Sequence, residues 1–75
     1  MIKLGAMFRE IRVFKGLSMA ALAEKAGVCE STIYMLEKER GYPRIDTVML
    51  IAEGLEVPLS KIIEEAEYAE QHPED

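Results

Sequence analysis

Few side chains in this 75-residue sequence could perform covalent or metal chemistry. The sequence has one cysteine, Cys29, and one histidine, His72, so it can form neither an intramolecular disulfide nor a Cys/His zinc site. His72 has no second ligand near it and is expected to be a solvated side chain in the tail. The sequence offers no pairing of a nucleophile with a base and no phosphate-binding loop. We therefore predict a protein that is not an enzyme and that uses no metal or cofactor.

Residues 30–35 suggest a different chemistry, which is hydrogen bonding to a polar ligand. Ser31, Thr32 and Tyr34 supply two short hydroxyls and a phenol near the start of an expected short helix. Such groups suit a helix that enters the DNA major groove, and the backbone N–H groups at a helix start favour phosphate. The plainer alternative is that these residues form a solvated helix face.

The net charge of −5 argues against binding a polyanion, but the charge is unevenly distributed along the chain. Residues 1–45 hold eight basic and five acidic side chains, a net charge of +3. Residues 46–75 hold Lys61 and nine acidic side chains, a net charge of −8. The basic part could therefore face nucleic acid while the acidic C-terminal half faces solvent or a protein partner.

Apolar residues recur every three or four positions and no stretch alternates as a strand does, so the sequence predicts an all-α fold of five helices. Gly16 and Gly27 are expected to end the first two helices, and Ser18 to cap the second. The third is expected from about Glu30 to Lys38. A fourth should open at Asp46 or its neighbour, and Pro58 should separate it from the fifth.

These helices are expected to form one domain over residues 1–70, followed by a frayed acidic tail over residues 71–75. Ten positions are predicted core by periodicity: Leu4, Phe8, Ile11, Leu22, Val28, Ile33, Leu36, Val48, Ile51 and Leu55. Met7 and Phe14 extend the apolar side of the first helix. No apolar run is long enough for a membrane span or a signal peptide, so a cytoplasmic protein is expected.

Residues 18–38 fit two short helices that meet at a steep angle, because Ala23, Ala26 and Gly27 are small where the backbones approach. From about residue 4 to residue 63 the chain resembles the helix-turn-helix family of Cro and lambda-type repressors, often called Xre-like. The matching segments are Phe8-Arg9-Glu10-Ile11-Arg12, Lys15-Gly16-Leu17-Ser18, residues 22–28, Ser31-Thr32-Ile33, Leu36-Glu37, Pro43, Val48, Ile51-Ala52 and residues 55–60. The resemblance implies a compact five-helix, lambda-repressor-like domain that binds double-stranded operator DNA, usually as a homodimer.

The resemblance also implies roles for individual residues. Base contacts are implied for the third helix: Glu30, Ser31, Thr32, Tyr34 and Met35. Phosphate contacts are implied near the second helix start and after the third helix: Ser18, Met19, Lys38, Arg40 and Arg44. Four positions depart from the family pattern: Met19 replaces the usual glutamine, Cys29 replaces a serine or threonine cap, and Glu30 and Met35 stand where the base-reading face often has glutamine or arginine.

Two structural contacts and one reactive group complete the predictions. Family counterparts of Arg12 and Glu37 form an ion pair that ties the first helix to the end of the third. The apolar stripe of the fifth helix predicts a dimer seam: Leu59, Ile62, Ile63 and Ala66. Cys29, at the cap of the third helix, is a candidate redox-sensitive thiol, because first-turn N–H groups favour a thiolate; the alternative is an inert thiol and a weak cap.

Two functions remain open on the sequence alone. One is a sequence-specific transcriptional regulator that binds an operator as a homodimer. The other is a protein-binding module on the same scaffold, similar to an antirepressor or an antitoxin, with weak or no DNA binding. The cations Lys38, Arg40 and Arg44 favour DNA, whereas acidic side chains among them favour the module: Glu30, Glu37 and Glu39.

Overall fold

The computed structural model describes residues 4–41 and 43–72, and all of its regular structure there is α-helical. The helices are α1 Leu4–Phe14, α2 Met19–Ala26, α3 Glu30–Glu37, α4 Ile45–Leu55 and α5 Leu59–Gln71. The predicted all-α fold of five helices is confirmed. No helix within these ranges has the length and apolar character needed to cross a membrane.

Helix α2 is capped at both ends by the residues that the sequence indicates. The Ser18 hydroxyl accepts a hydrogen bond from the Ala21 N–H at 3.0 Å and so caps α2. Gly27 ends α2 with φ +74°, a left-handed conformation that glycine adopts without steric cost. Its N–H donates to the Ala23 carbonyl at 2.9 Å. The turn at Gly27 sets the direction in which α3 leaves α2.

The end of α4 uses a residue that sequence patterns did not mark. Glu56 adopts a left-handed φ of +61° there, and Pro58 then precedes α5 as expected. The Lys25 ammonium donates to the Glu56 carboxylate at 2.8 Å. This hydrogen bond, together with the positive charges of Lys25 and Lys15, lowers the pKa of Glu56. The contact joins the end of α2 to the end of α4.

The apolar core lies between the five helices. Its fully buried large side chains come from every helix: Phe8, Leu22, Ile33, Ile51, Leu55 and Ile62. Of the ten predicted core residues, seven are buried, and Leu4, Ile11 and Val28 are half-buried against them. Phe14 is 90% exposed, so its place on the apolar side of α1 was wrong. The buried face of α1 contains Gly5, Phe8 and Arg12, and Phe14 lies about 120° around the helix from Phe8.

The predicted dimer seam on α5 is wrong for two of its four residues. Ile62 is fully buried and Ala66 is 4% exposed within a single protomer. Because α5 packs against α1 and α4, Ile62 and Ala66 belong to the protomer core and are not available to a second copy. Leu59 and Ile63 are only half-buried.

The C-terminal helix extends further than the sequence predicts. Gln71 still belongs to α5, and the His72 N–H donates to the Tyr68 carbonyl at 2.9 Å. The His72 ring is exposed but stacks on the Tyr68 ring, with 4.1 Å between the centroids. The exposed His72 agrees with the expected solvated side chain, and fraying of the tail stays a prediction. The remainder of the expected tail, residues 73–75, lies outside the described residues.

Candidate nucleic-acid interface

Helix α3 is buried along one side and free along the other. Ile33 and Leu36 enter the core. Tyr34 and Met35 are 42% and 45% exposed. Ser31 is exposed and Thr32 half-buried at the same end of the helix. The polar side chains that could contact bases therefore lie on an unobstructed ridge.

A shallow cleft of about 310 Å³ lies beside this ridge, between α3 and the start of α4. Thr32 and Met35 line it from α3, Arg40 from the connecting loop, and Arg44 and Thr47 from the α4 side. The cleft brings candidate base-contact residues together with candidate phosphate-contact residues. A ligand that bears both base edges and phosphates would therefore meet hydroxyls and guanidinium groups together.

The cations after α3 remain available to a ligand. Lys38 is exposed, and its ammonium nitrogen lies 5.8 Å from the centroid of the Tyr34 ring, which holds this charge on the ridge. Arg44 donates to the Asp46 carboxylate at 3.2 Å, but both side chains are more than half exposed. An exposed pair of this kind is weak, so a phosphate could replace the carboxylate.

Met19 and Ser18, at the start of α2, were the expected phosphate contacts outside α3 and its following loop. Met19 is half-buried against the core, and its thioether carries no hydrogen-bond donor. The Met19 side chain therefore cannot donate a hydrogen bond to phosphate, and the implied phosphate contact at this position stays a prediction. The exposed Ser18 hydroxyl uses an acceptor position to cap α2 and keeps its O–H as a donor.

Cys29 occupies the N-cap position of α3 without acting as a side-chain cap. Its backbone carbonyl accepts from the Thr32 N–H at 3.0 Å, but its side chain forms no capping hydrogen bond. The sulfur therefore accepts no capping hydrogen bond from the first-turn N–H groups, in keeping with its weak acceptor strength, and the redox role of Cys29 stays a prediction. Cys29 is an exposed free thiol. Glu30, in the first turn, is exposed where the helix dipole favours a carboxylate.

The ion pair between Arg12 and Glu37, implied by the family resemblance, is present and is bidentate. Arg12 Nε donates to Glu37 Oε2 at 2.7 Å, and Nη2 donates to Oε1 at 3.1 Å. Arg12 Nη1 also donates to the Leu17 carbonyl at 2.8 Å. The side chains are 11% and 1% exposed. The hydrogen bond to Glu37 raises the pKa of Arg12 despite partial burial. The pair fixes α3 against α1 and removes the Glu37 charge from the ridge.

Gly5 is a positioning residue that the sequence analysis missed. It is buried in α1, and a Cβ placed on it would lie 2.9 Å from the Glu37 carbonyl oxygen and closer still to that of Leu36. The N-terminal part of α1 therefore approaches the end of α3 more closely than any side chain permits. A glycine inside an otherwise helical pattern was the available signal, because it is often kept for close packing.

Helix α2, the turn at Gly27 and helix α3 with its exposed side form a helix-turn-helix unit. Comparisons with known proteins agree with this class. The profile of the helix-turn-helix family matches residues 8–62, and the chain belongs to this family, in its Xre-like branch. The family comprises transcriptional regulators rather than enzymes.

Individual relatives agree with this assignment. A Methanocaldococcus jannaschii protein of the HTH-type transcriptional regulatory group is 40% identical over 60 residues, which are 80% of this chain and 19% of that protein. The HTH-type transcriptional regulator SutR of Escherichia coli is 33% identical over 60 residues, covering 80% and 34%. The chain thus spans about a fifth to a third of the length of these curated relatives. The wild-type restriction-modification controller protein C.Esp1396I is similar in structure, with a TM-score of 0.79 and 28% identity over 85% of this chain and 82% of that chain.

Proposed function

We propose that this protein is a transcriptional regulator that binds operator DNA in the cytoplasm as a homodimer, with α3 in the major groove. The observation that carries the proposal is the exposed side of α3, where hydroxyls and a phenol lie next to the cations of a shared cleft. Lys38, Arg40 and Arg44 would contact phosphates and position the helix, while the ridge would contact bases. The regulatory names of the relatives support the same role.

Each ridge side chain has a chemical preference among base edges. The Glu30 carboxylate can accept a hydrogen bond from cytosine N4, and the Met35 methyl can pack against the methyl group of thymine. The hydroxyls of Ser31 and Thr32 can donate or accept, so they suit either purine or pyrimidine edges. Together these preferences would select a particular operator half-site.

A protein-binding module on the same scaffold is the alternative. It is favoured by Met19, which lacks a donor, and by the exposed acid Glu30. Of the acidic residues expected to favour this alternative, however, Glu37 is buried and neutralised by Arg12. Glu30, Glu39 and Asp46 are exposed near the cleft, but its described lining holds Arg40 and Arg44 and no acidic side chain, which is why we favour DNA.

Replacing base-contact residues should weaken binding to the operator far more than binding to random DNA. For Thr32→Ala and Tyr34→Ala we expect operator affinity to fall by about 1–3 kcal/mol each, because groove contacts carry sequence information and phosphate contacts do not. The operator would first be selected from a library of randomised duplexes, and affinities then measured by fluorescence anisotropy on that duplex and on a scrambled one.

Tyr34→Phe removes the phenol hydroxyl but keeps the ring that lies beside Lys38, so it tests the hydroxyl alone. Phe14→Ala is the control, because it removes an exposed aromatic side chain from α1, away from the proposed interface. Phe14→Ala should leave both affinities unchanged. Equal losses on selected and scrambled duplexes, or a library from which no sequence is enriched, would contradict sequence reading by α3.

A further inference from the structure

The turn that follows α3 contains a left-handed residue that is not glycine. Glu39 has a φ of +56°, a conformation that residues with a Cβ seldom adopt. Such residues cost free energy, and they are concentrated at functional sites, where the backbone has to follow one particular path. Glu39 lies two residues after the end of α3 and directly before Arg40. The chain therefore reaches Arg40 through this unusual backbone conformation.

Two backbone hydrogen bonds close the end of α3 around Glu39. The Glu39 N–H donates to the Leu36 carbonyl at 3.1 Å, and the Arg40 N–H donates to the Met35 carbonyl at 3.0 Å. This pair of hydrogen bonds is the Schellman motif, which requires a left-handed residue at the position of Glu39. A right-handed Glu39 would continue the helix and an extended one would carry the chain away from it, so in either case the bond from Arg40 to Met35 would be lost.

The bond from Arg40 to Met35 joins two residues of the cleft beside α3. Met35, Leu36 and Arg40 all line this cleft, so the Schellman motif fixes the backbone from which the Arg40 side chain enters it. The stem of the Glu39 side chain lies against the start of α1, because its Cγ would be 2.8 Å from a Cβ placed on Gly5. The turn after α3 is thus held by α3 on one side and by α1 on the other.

We propose that Glu39 is a positioning residue for DNA binding: its left-handed backbone, and not its carboxylate, holds Arg40 where Arg40 contacts a phosphate. The inference rests on the proposed function. On the sequence alone Glu39 is one of the acids that favour a protein partner. In the present proposal its charge is dispensable and its backbone conformation is not, so an acidic side chain among these cations is compatible with binding a polyanion.

Three neutral variants separate the backbone conformation of Glu39 from its charge. Glu39→Gln keeps the length of the side chain and loses only the charge. Glu39→Gly adopts a left-handed φ without steric cost, whereas the branched Cβ of Glu39→Val is unsuited to that conformation. Because all three variants carry the same charge, a difference in DNA binding between them reports on the backbone. Far-UV circular dichroism checks that each variant is folded.

The contribution of Arg40 to the salt dependence of binding to duplex DNA is the quantity to compare. In the wild-type chain, Arg40→Ala should flatten the slope of log affinity against log salt by about 0.9 for each protomer bound. The same flattening is expected when Arg40→Ala is added to Glu39→Gln or to Glu39→Gly. Added to Glu39→Val it should change the slope little, because Arg40 no longer reaches its phosphate. Equal flattening in the Gln and Val backgrounds would overturn the positioning role.

Thermal unfolding tests the left-handed turn without DNA. The midpoint temperature should be highest for Glu39→Gly, lower for Glu39→Gln and lowest for Glu39→Val, because the steric cost of a left-handed φ increases in that order. A Glu39→Gly midpoint at or below that of Glu39→Gln would overturn the proposal. This comparison does not require Glu39→Val to fold.

The remaining outcomes separate this role of Glu39 from the proposed function. A wild-type chain that binds DNA with a slope that Arg40→Ala leaves unchanged would overturn the role of Glu39, while the proposed function would still stand on Lys38 and Arg44. A wild-type chain without salt-dependent DNA binding would overturn both.

Discussion

Replacing Glu37 with glutamine is expected to lower the free energy of unfolding by about 3–5 kcal/mol. The substitution leaves the Arg12 guanidinium with its charge but without its carboxylate, in a place where its side chain is only 11% exposed. Since a domain of this size has a total stability of about 5–15 kcal/mol, much of its margin would be lost. Urea unfolding followed by far-UV circular dichroism measures the change.

The double variant Arg12→Met with Glu37→Leu is the control for this prediction. It removes both charges, and apolar replacements of a buried pair are often close to neutral. We expect it to lose less stability than Glu37→Gln, although it also loses the hydrogen bond from Arg12 to the Leu17 carbonyl. A Glu37→Gln variant within about 1 kcal/mol of wild type would mean that the pair does not hold α1 against α3.

The Gly5→Ala variant is expected to lose about 1–3 kcal/mol of stability or more. Alanine is the better helix former by about 1 kcal/mol, so propensity alone predicts the opposite sign. The steric effect wins because the new methyl group would meet the Leu36 and Glu37 carbonyl oxygens, which are backbone atoms and cannot rotate away. Thermal unfolding of the variant measures the net effect.

Gly54→Ala is the graded comparison for this variant. A Cβ at Gly54 would lie 3.0 Å from the Ala26 Cβ and 3.1 Å from both the Ala26 backbone nitrogen and the Leu22 Cδ1, so it meets no atom as closely as a Cβ at Gly5 would. Its loss should therefore be the smaller one. If Gly5→Ala stabilises the protein, α1 does not approach α3 as closely as the structure indicates.

Local sequence patterns predicted most of the fold. The apolar periodicity placed all five helices, and Ser18 and Gly27 are found at the cap positions that their residue types favour. The Arg12–Glu37 pair could be expected only from the family resemblance, because 25 residues separate the two in sequence. Propensity and capping are local properties, so one sequence is enough to reveal them.

The errors arose where a pattern could not say which partner a side chain faces. Periodicity marks the apolar side of α5 but cannot tell a protomer core from a dimer seam, and Ile62 and Ala66 belong to the core. Phe14 fits the apolar spacing of α1, but it lies on a side of this helix that no other helix packs against. The close approach at Gly5 depends on a distant segment, and Glu56 is a residue type that does not mark a left-handed cap as glycine does.

If α3 and the cations beside it bind DNA, the affinity for duplex DNA must depend on salt. We predict that log affinity falls with log salt by about 0.9 for each phosphate neutralised, and that Lys38→Ala flattens the slope by about one unit for each protomer bound. Lys61→Ala is the control: Lys61 lies on α5 beside Glu65, and its removal should leave the slope unchanged. An affinity that does not vary with salt, or no detectable binding at about 50 mM salt, would show that α3 and these cations do not bind DNA.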